Sequence, residues 1–69
     1  MSHRYLFETQ DGACYGYFYK GYLYTLKGQC THFERDSGLY TIKAGDREFY
    51  EDGGYYYTSQ GDQRRWVQG

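Results

Sequence analysis

The chain has 69 residues, with 8 basic and 9 acidic side chains, a net charge of −1, two cysteines and no proline. This length allows a single domain, residues 1–69, near the lower size limit for a self-sufficient core. The balanced charge excludes long-range attraction to DNA or to an anionic membrane surface. Two cysteines are too few for the disulfide framework of a small secreted domain. We therefore expect a cytoplasmic protein with no membrane partner.

The hydrophobic residues are mostly aromatic. Aromatic side chains make up 23% of the sequence, and 11 residues are tyrosine. The large aliphatic residues are only Leu6, Leu23, Leu26, Leu39, Ile42 and Val67. Because so few aliphatic side chains cannot bury enough apolar area, the tyrosines must contribute to the core or to a subunit interface.

Glycines recur through the chain and separate short runs rich in Tyr, Phe, Thr and Leu. These runs alternate with period two, and no window keeps a helical stripe, so the pattern predicts short antiparallel strands. The strands are expected near 4–9, 13–19, 22–26, 29–35, 39–43, 47–51, 55–59 and 64–67. The fold class is therefore an all-β, up-and-down meander of six to eight strands. Such a sheet is expected to curl into a small barrel or to pack sheet-on-sheet in a dimer.

The first hairpins are assigned two-residue turns. A turn at Asp11-Gly12 would place Phe7 opposite Gly16 and Tyr5 opposite Phe18. A turn at Lys20-Gly21, where glycine adopts positive φ without steric cost, pairs the two aromatic runs that flank it. The resulting pairs are Tyr17 with Tyr24, Phe18 with Leu23, and Tyr19 with Tyr22.

The later hairpins are also assigned two-residue turns. A Ser37-Gly38 turn would set Phe33 opposite Ile42, and a Gly45-Asp46 turn would set Ile42 opposite Phe49. The registers together assign one aromatic face, which we expect to be the buried one: Leu6, Tyr15, Tyr17, Tyr19, Tyr22, Tyr24, Leu26, Phe33, Tyr40, Ile42, Phe49 and Tyr56. The register after Asp52 depends on the position of the turn that ends at Gly54.

The C-terminal third contains further candidates for a binding surface. Tyr55, Tyr56 and Tyr57 are consecutive, so at least one of them lies on each face of a strand. The segment 64–66, Arg-Arg-Trp, is the only basic cluster and combines two residue types common in interface hot spots. The alternative is an edge strand with solvated arginines and a tryptophan that caps the core.

Catalytic and metal-binding patterns are weak. Cys30 and His32 would share a strand face, with Cys14 two strands away, but the cysteine pair typical of structural zinc is missing. His32 and Glu34 also share a face, yet no serine lies in a nucleophile elbow. No glycine-rich phosphate loop precedes a helix. We expect no catalytic residue, no metal and no cofactor, and hence no enzyme.

The leading hypothesis is a non-enzymatic interaction protein that uses its aromatic face to bind a protein partner, to form a homodimer, or both. Its size would suit a phage or mobile-element protein that inhibits a host factor. One alternative is a single-stranded nucleic-acid binder that stacks bases on aromatic rings. Another is a glycan-binding module. The candidate binding residues are Tyr17, Tyr19, Tyr22, Tyr24, Tyr55, Tyr57, Arg64, Arg65 and Trp66.

Overall fold

A computed structural model describes residues 4–69 as eight antiparallel strands. The strands are β1 (Arg4–Glu8), β2 (Cys14–Tyr19), β3 (Tyr22–Thr25), β4 (Cys30–Arg35), β5 (Gly38–Thr41), β6 (Arg47–Asp52), β7 (Tyr55–Thr58) and β8 (Arg64–Gln68). Each strand pairs with the next, and β8 pairs with β1, so the sheet closes into a barrel. The all-β meander is confirmed, in its barrel form. Within residues 4–69 no helix is long and apolar enough to cross a membrane.

The two ends of the barrel differ in their connections. At one end, here the turn end, two-residue turns occupy 20–21, 36–37 and 53–54. Lys20 and Gly21 both have positive φ, of 52° and 84°, as a primed hairpin turn requires. At the opposite end, the bulge end, longer loops span 9–13, 26–29, 42–46 and 59–63. The sequence-based turn at Lys20-Gly21 is therefore correct, and those at Asp11-Gly12 and Gly45-Asp46 are wrong.

Four β-bulges next to the longer loops set the registers. Each even-numbered strand carries one residue with no opposite partner: Tyr15, Thr31, Glu48 and Arg65. A bulge adds one residue to one strand and so shifts every pair beyond it by one position. As a result Leu6, and not Phe7, lies opposite Gly16. In the same way Leu39, and not Ile42, lies opposite Phe49.

The pairs predicted around Lys20-Gly21 are all present, including Tyr17 with Tyr24 and Tyr19 with Tyr22. In the next hairpin, however, the turn lies at 36–37, one residue earlier than expected. Phe33 therefore lies opposite Tyr40 and not opposite Ile42. Asp36 and Ser37 adopt the positive φ values of this turn, 48° and 59°.

The barrel is built from four equivalent hairpins. Related segments begin at residues 5, 22, 38 and 55, with the sequences Tyr-Leu-Phe-Glu, Tyr-Leu-Tyr-Thr, Gly-Leu-Tyr-Thr and Tyr-Tyr-Tyr-Thr. Their hydrogen bonds also repeat: the carbonyls of the bulge residues Thr31, Glu48 and Arg65 accept from the amides of Ile42, Ser59 and Thr9, in that order. The fold thus has an approximate fourfold repeat of 16 or 17 residues.

One small layer of side chains fills the barrel. The buried apolar residues are Leu6, Phe18, Leu23, Leu39, Phe49, Tyr56 and Trp66, and the buried His32 accompanies them. An eight-stranded barrel has an interior just wide enough to be filled by side chains. The expected buried face is therefore wrong for most of its tyrosines, because Tyr17, Tyr19, Tyr22 and Tyr24 lie on the outside. Leu26 and Ile42 are also exposed, by 61% and 45%.

Gly16 allows two strands to pack closely, and this gives a first test of the fold. A Cβ atom at Gly16 would lie 1.9 Å from the carbonyl oxygen of Tyr24, so Gly16→Ala must displace a strand. We expect it to lower the free energy of unfolding by about 3 kcal/mol, measured by urea denaturation. Gly28→Ala is the control, because its position is open although φ is +84°. Gly28→Ala should lower the free energy of unfolding by about 1 kcal/mol. Equal losses in the two variants would contradict the close packing of β2 and β3 at Gly16.

A pair of leucines tests which face is inside. Leu39 is fully buried whereas Leu26 is 61% exposed. We expect Leu39→Ala to cost about 2–5 kcal/mol, because it leaves a cavity in the single core layer. Leu26→Ala should change stability by no more than about 0.5 kcal/mol. A larger loss for Leu26→Ala in chemical denaturation would show that the faces are assigned the wrong way round.

Candidate functional site

Aromatic side chains form rows across neighbouring strands on the outside of the barrel. We name each row by one tyrosine: the Tyr5 row, the Tyr22 row, the Tyr50 row and the Tyr55 row. Strand pairing places the members of each row side by side. They are Tyr5, Tyr17 and Tyr24; Tyr22, Phe33 and Tyr40; Tyr50 and Tyr57, preceded by Gly38; and Tyr55, Val67 and Phe7.

Three pairs of neighbouring rings within the rows stack on each other. Tyr17 and Tyr24 have ring centroids 5.6 Å apart with planes inclined by 15°. Phe33 and Tyr40 are 5.3 Å apart at 17°, and Tyr50 repeats this geometry with its row neighbour at 5.3 Å and 15°. Such cross-strand pairs remove ring faces from water without placing them in the core. These outer aromatic residues are accordingly half-buried.

The Tyr5 row and the Tyr22 row end in exposed rings. Tyr5 is 41% exposed and Tyr22 is 45% exposed. Tyr19, which is paired with Tyr22 between the two rows, is 46% exposed. The two rows and Tyr19 therefore form one continuous surface across β1 to β5, which we call the tyrosine face.

The other two rows are covered at the equivalent positions. In the Tyr50 row the first position is Gly38, and the side chain of Arg47 lies across it, since a Cβ atom there would be 2.9 Å from Arg47 Cδ. In the Tyr55 row the guanidinium of Arg64 lies 4.7 Å from the Tyr55 ring centroid. The hydroxyl of Tyr50 donates a 2.8 Å hydrogen bond to Asp62 Oδ1. The fourfold repeat is thus modified so that tyrosine rings more than 40% exposed lie on β1, β2 and β3.

The sequence-predicted binding residues divide into three places. Tyr17, Tyr19, Tyr22 and Tyr24 lie together on the tyrosine face. Tyr55, Tyr57 and Arg64 lie together on a different side of the barrel, on β7 and β8. Arg65 is the bulge residue of β8, and its Nε lies 3.5 Å from Glu8 Oε1.

Trp66 is the clearest correction. We expected a surface ring, but Trp66 is 3% exposed and belongs to the core, as the alternative interpretation held. Its ring lies 4.4 Å from that of Tyr15 and 4.4 Å from that of Phe49, and its Nε1 donates a 3.1 Å hydrogen bond to Glu8 Oε2. Closure of the barrel is the reason, because β8 is paired on both sides and one of its faces points inward. Tyr56, the middle residue of 55–57, is likewise buried.

A chain of hydrogen bonds crosses the bulge end. Tyr15 Oη donates to Thr31 Oγ1 at 3.3 Å, and Thr31 Oγ1 lies 2.9 Å from His32 Nδ1. His32 Nε2 lies 2.5 Å from Glu48 Oε1. Both ring nitrogens of this buried histidine therefore have partners, which is the arrangement expected of a histidine that holds strands together. Glu48 is the half-exposed end of the chain.

The bulge at Thr31 also separates Cys30 from His32. Cys30 is paired with Tyr24 on the outside, whereas His32 is paired with the buried Leu23. The expectation that this cysteine and histidine share a face is therefore wrong. Among residues 4–69, no three His, Cys, Asp or Glu side chains lie together in a way that could hold a metal ion.

A cavity of about 430 Å³ opens at the bulge end between the third and fourth hairpins. Its walls include Asp46, Arg47, Glu48, Ser59 and Arg65, and the Phe49 ring also lines it. The Oγ atom of Ser59 is buried and has no hydrogen-bond partner among residues 4–69. The wall is polar and carries both signs of charge, in contrast to the aromatic tyrosine face.

Sequence reasoning did not include Tyr5, Phe33 and Tyr40 among the binding residues. The signal that could have identified them is the repeat itself. The four segments that begin at residues 5, 22, 38 and 55 align without gaps over their first four positions. Aligning them would have placed Tyr5 with Tyr22, and Tyr40 with Tyr24, on equivalent sides of their strands.

Burial changes the ionisation of two tyrosines. Desolvation among its neighbours raises the pKa of Tyr24 above its ordinary value of 10.0, with smaller contributions from Cys30 and Tyr17. Desolvation inside the barrel raises the pKa of Tyr56 to about 12, and the nearby carboxylate of Glu34 acts in the same direction. Both hydroxyls therefore remain neutral at physiological pH, as donors and not as anions.

The pKa of Tyr56 leads to a prediction about alkaline pH. In the unfolded chain Tyr56 loses its proton near its ordinary pKa of 10.0, and in the folded chain near 12. Its contribution to stability is therefore complete below pH 10 and is lost as the pH rises from 10 to 12. Two pKa units correspond to roughly 2–3 kcal/mol. Urea denaturation at pH 9.5 and 11.5 should show a smaller loss for Tyr56→Phe than for the wild type.

Tyr22→Phe is the control for this comparison, because it removes a hydroxyl from an exposed ring. Both variants are measured with the wild type at the same ionic strength. An identical pH dependence for Tyr56→Phe and the wild type would contradict the buried, neutral state of Tyr56.

Comparisons with known proteins do not supply a relative for this barrel. No protein-family model, no curated protein and no solved structure matches the chain. The functional interpretation therefore depends on the geometry of the barrel surface alone.

Proposed function

We propose that this protein is a non-enzymatic binding protein that docks a protein partner on its tyrosine face. The observation that carries the proposal is the unequal covering of four equivalent rows. The Tyr50 and Tyr55 rows are covered by Arg47 and Arg64, whereas Tyr5, Tyr19 and Tyr22 of the tyrosine face are each more than 40% exposed. Tyrosine supplies large contact area at low entropic cost.

The size of the face supports a protein partner. Five neighbouring strands at a spacing of about 4.8 Å cover an arc of about 20 Å, which is half of the circumference of the closed barrel. A standard interface covers about 800 Å² on each partner, about a sixth of the 4834 Å² accessible surface of this barrel. Because the tyrosine face extends around half of the barrel, it has the area that such an interface needs.

The charges near the face favour protein over single-stranded nucleic acid. On this face the Nζ of Lys20 lies 5.4 Å from the Tyr19 ring centroid, and Arg47 is the cross-strand partner of Tyr40 at the edge of the face. Nucleic-acid grooves combine stacking rings with a basic track along the backbone. A net charge of −1 and two separate cations, Lys20 and Arg47, do not provide such a track. The partner we propose is a protein surface, either a different protein or a second copy of this chain.

A double substitution on the face tests the proposal. Tyr19→Thr with Tyr22→Thr removes two exposed rings while keeping strand-forming residues. We expect at least about a tenfold loss of partner binding, because aromatic anchors dominate interfaces, with little change in melting temperature. Tagged protein is used to capture partners from native lysate with and without nuclease, and light scattering at ~100 μM measures self-association.

The matched control is Tyr50→Thr with Tyr57→Thr, a stacked pair in a covered row. It should bind the partner as the wild type does. If both double variants lose the partner equally, the tyrosine face is not the docking surface. Capture that disappears with nuclease would instead support the nucleic-acid alternative. A dimer that dissociates only in the Tyr19 and Tyr22 variant would identify the partner as a second copy of the chain.

A further inference from the structure

The turn end of the barrel has a ring of four equivalent inward side chains. Each lies on an even-numbered strand at the mouth of the barrel, two residues after the buried residue of that strand. These buried residues are Gly16, His32, Phe49 and Trp66. In chain order they are Phe18, Glu34, Glu51 and Gln68. The ring thus combines an aromatic face, two carboxylates and an amide oxygen.

The guanidinium of Arg4 occupies this mouth. Its Nη2 lies 2.6 Å from Glu34 Oε1, and its Nη1 lies 3.4 Å from Gln68 Oε1. Its Cζ lies 4.3 Å from the centroid of the Phe18 ring. Arg4 therefore contacts three of the four ring members. Glu51, whose Oε2 accepts a 2.9 Å hydrogen bond from the amide of Gly54, adds negative charge nearby.

Arg4 has no counterpart in the other three hairpins. The equivalent positions, two residues before the buried residues Leu23, Leu39 and Tyr56, are Gly21, Ser37 and Gly54. These are turn residues without long side chains, so the repeat itself does not require a cation in the mouth. Arg4 is an added occupant, supplied by the first described residue of the chain.

The chemistry of the ring matches a guanidinium group. A planar guanidinium donates to carboxylate and amide oxygens in its plane and can lie over an aromatic face at the same time. The side chains of Arg4 and Glu34 are 43% and 30% exposed. The pair therefore lies at the solvent boundary, where a guanidinium group from outside the barrel can reach it.

We propose that the mouth at the turn end is a binding site for the guanidinium group of an arginine residue, which the chain's own Arg4 fills in the absence of a partner. An arginine presented by a partner protein displaces Arg4 and makes the same contacts. This proposal is independent of the tyrosine face, since the mouth lies inside the barrel end and not on its outer surface.

Chemical rescue tests the site. Arg4→Ala empties the mouth, and its thermal unfolding is followed by circular dichroism with methylguanidinium added at about 1–20 mM, at constant ionic strength. Methylguanidinium should raise the melting temperature of Arg4→Ala, and N-acetylarginine amide should do so as well. Methylammonium, which has the charge but not the planar group, should give a smaller shift. Neither guanidinium compound should stabilise the wild type, whose site is filled.

Two further variants make the test specific. Adding Glu34→Gln to Arg4→Ala should weaken methylguanidinium binding by about tenfold, because the charge-assisted hydrogen bond is lost. Arg35→Ala removes an exposed arginine whose nearest carboxylate is that of Asp36 at 3.7 Å, and it should show no rescue. Equal responses of Arg4→Ala and Arg35→Ala, or no response of Arg4→Ala, would overturn the proposal.

If Arg4→Ala does not fold alone, the same titration measures refolding, and Arg4→Gln provides a second vacated site. Recovery of the folded signal with methylguanidinium but not with methylammonium supports the proposal. Failure of methylguanidinium to restore or stabilise either variant contradicts it. A negative result here leaves partner capture by the tyrosine face unaffected, so the two proposals can fail separately.

Discussion

The small interior of an eight-stranded barrel is the constraint on which the rest of this structure depends. It accommodates few large side chains, and three leucines, the rings of Phe18, Phe49 and Tyr56 and the indole of Trp66 already fill it. A chain with 11 tyrosines must therefore place most of them outside. The rows of stacked rings are the solution, because stacking partly dehydrates each ring without requiring interior volume. The small interior therefore explains both why the rings stack on each other and why they form an outer aromatic surface.

The same limit explains why the bulges matter. Each bulge turns an additional side chain toward the bulge end, where Tyr15 packs against Trp66 and Glu48 reaches His32. The fourfold repeat supplies the scaffold, and substitutions at equivalent positions supply the differences between its sides. Gly16 occupies the position of the larger His32, Phe49 and Trp66, and its lack of a side chain lets β2 pack closely against β3. The four hairpins therefore present different side chains on closely similar strands.

Much of this fold could be predicted from the sequence. All eight strands and their approximate bounds follow from alternation and glycine spacing, and the Lys20-Gly21 turn fixes its register because a two-residue loop leaves only one pairing. The faces of the other strands could not be assigned this way. The sequence of the 9–13 loop does not reveal its length or the bulge at Tyr15 that follows it. A shift of the strand register by one residue changes the partner of Leu6 from Tyr17 to Gly16. The clustering of the four β2–β3 tyrosines was predictable, whereas the burial of Trp66 required knowledge that the sheet closes.

The pairing of β1 with β8 has a consequence for how the barrel moves. Every other strand pair joins neighbours in the chain, so its loop is short and its closure is fast. The seam between β1 and β8 is the one pairing, within the described residues, that joins distant segments. It is held by three residue pairs, by Gly69 N donating to the Tyr5 carbonyl at 3.0 Å, and by the indole of Trp66. Folding should end at this seam, and opening should begin there, so amide exchange along it reports the least stable boundary of an otherwise local structure.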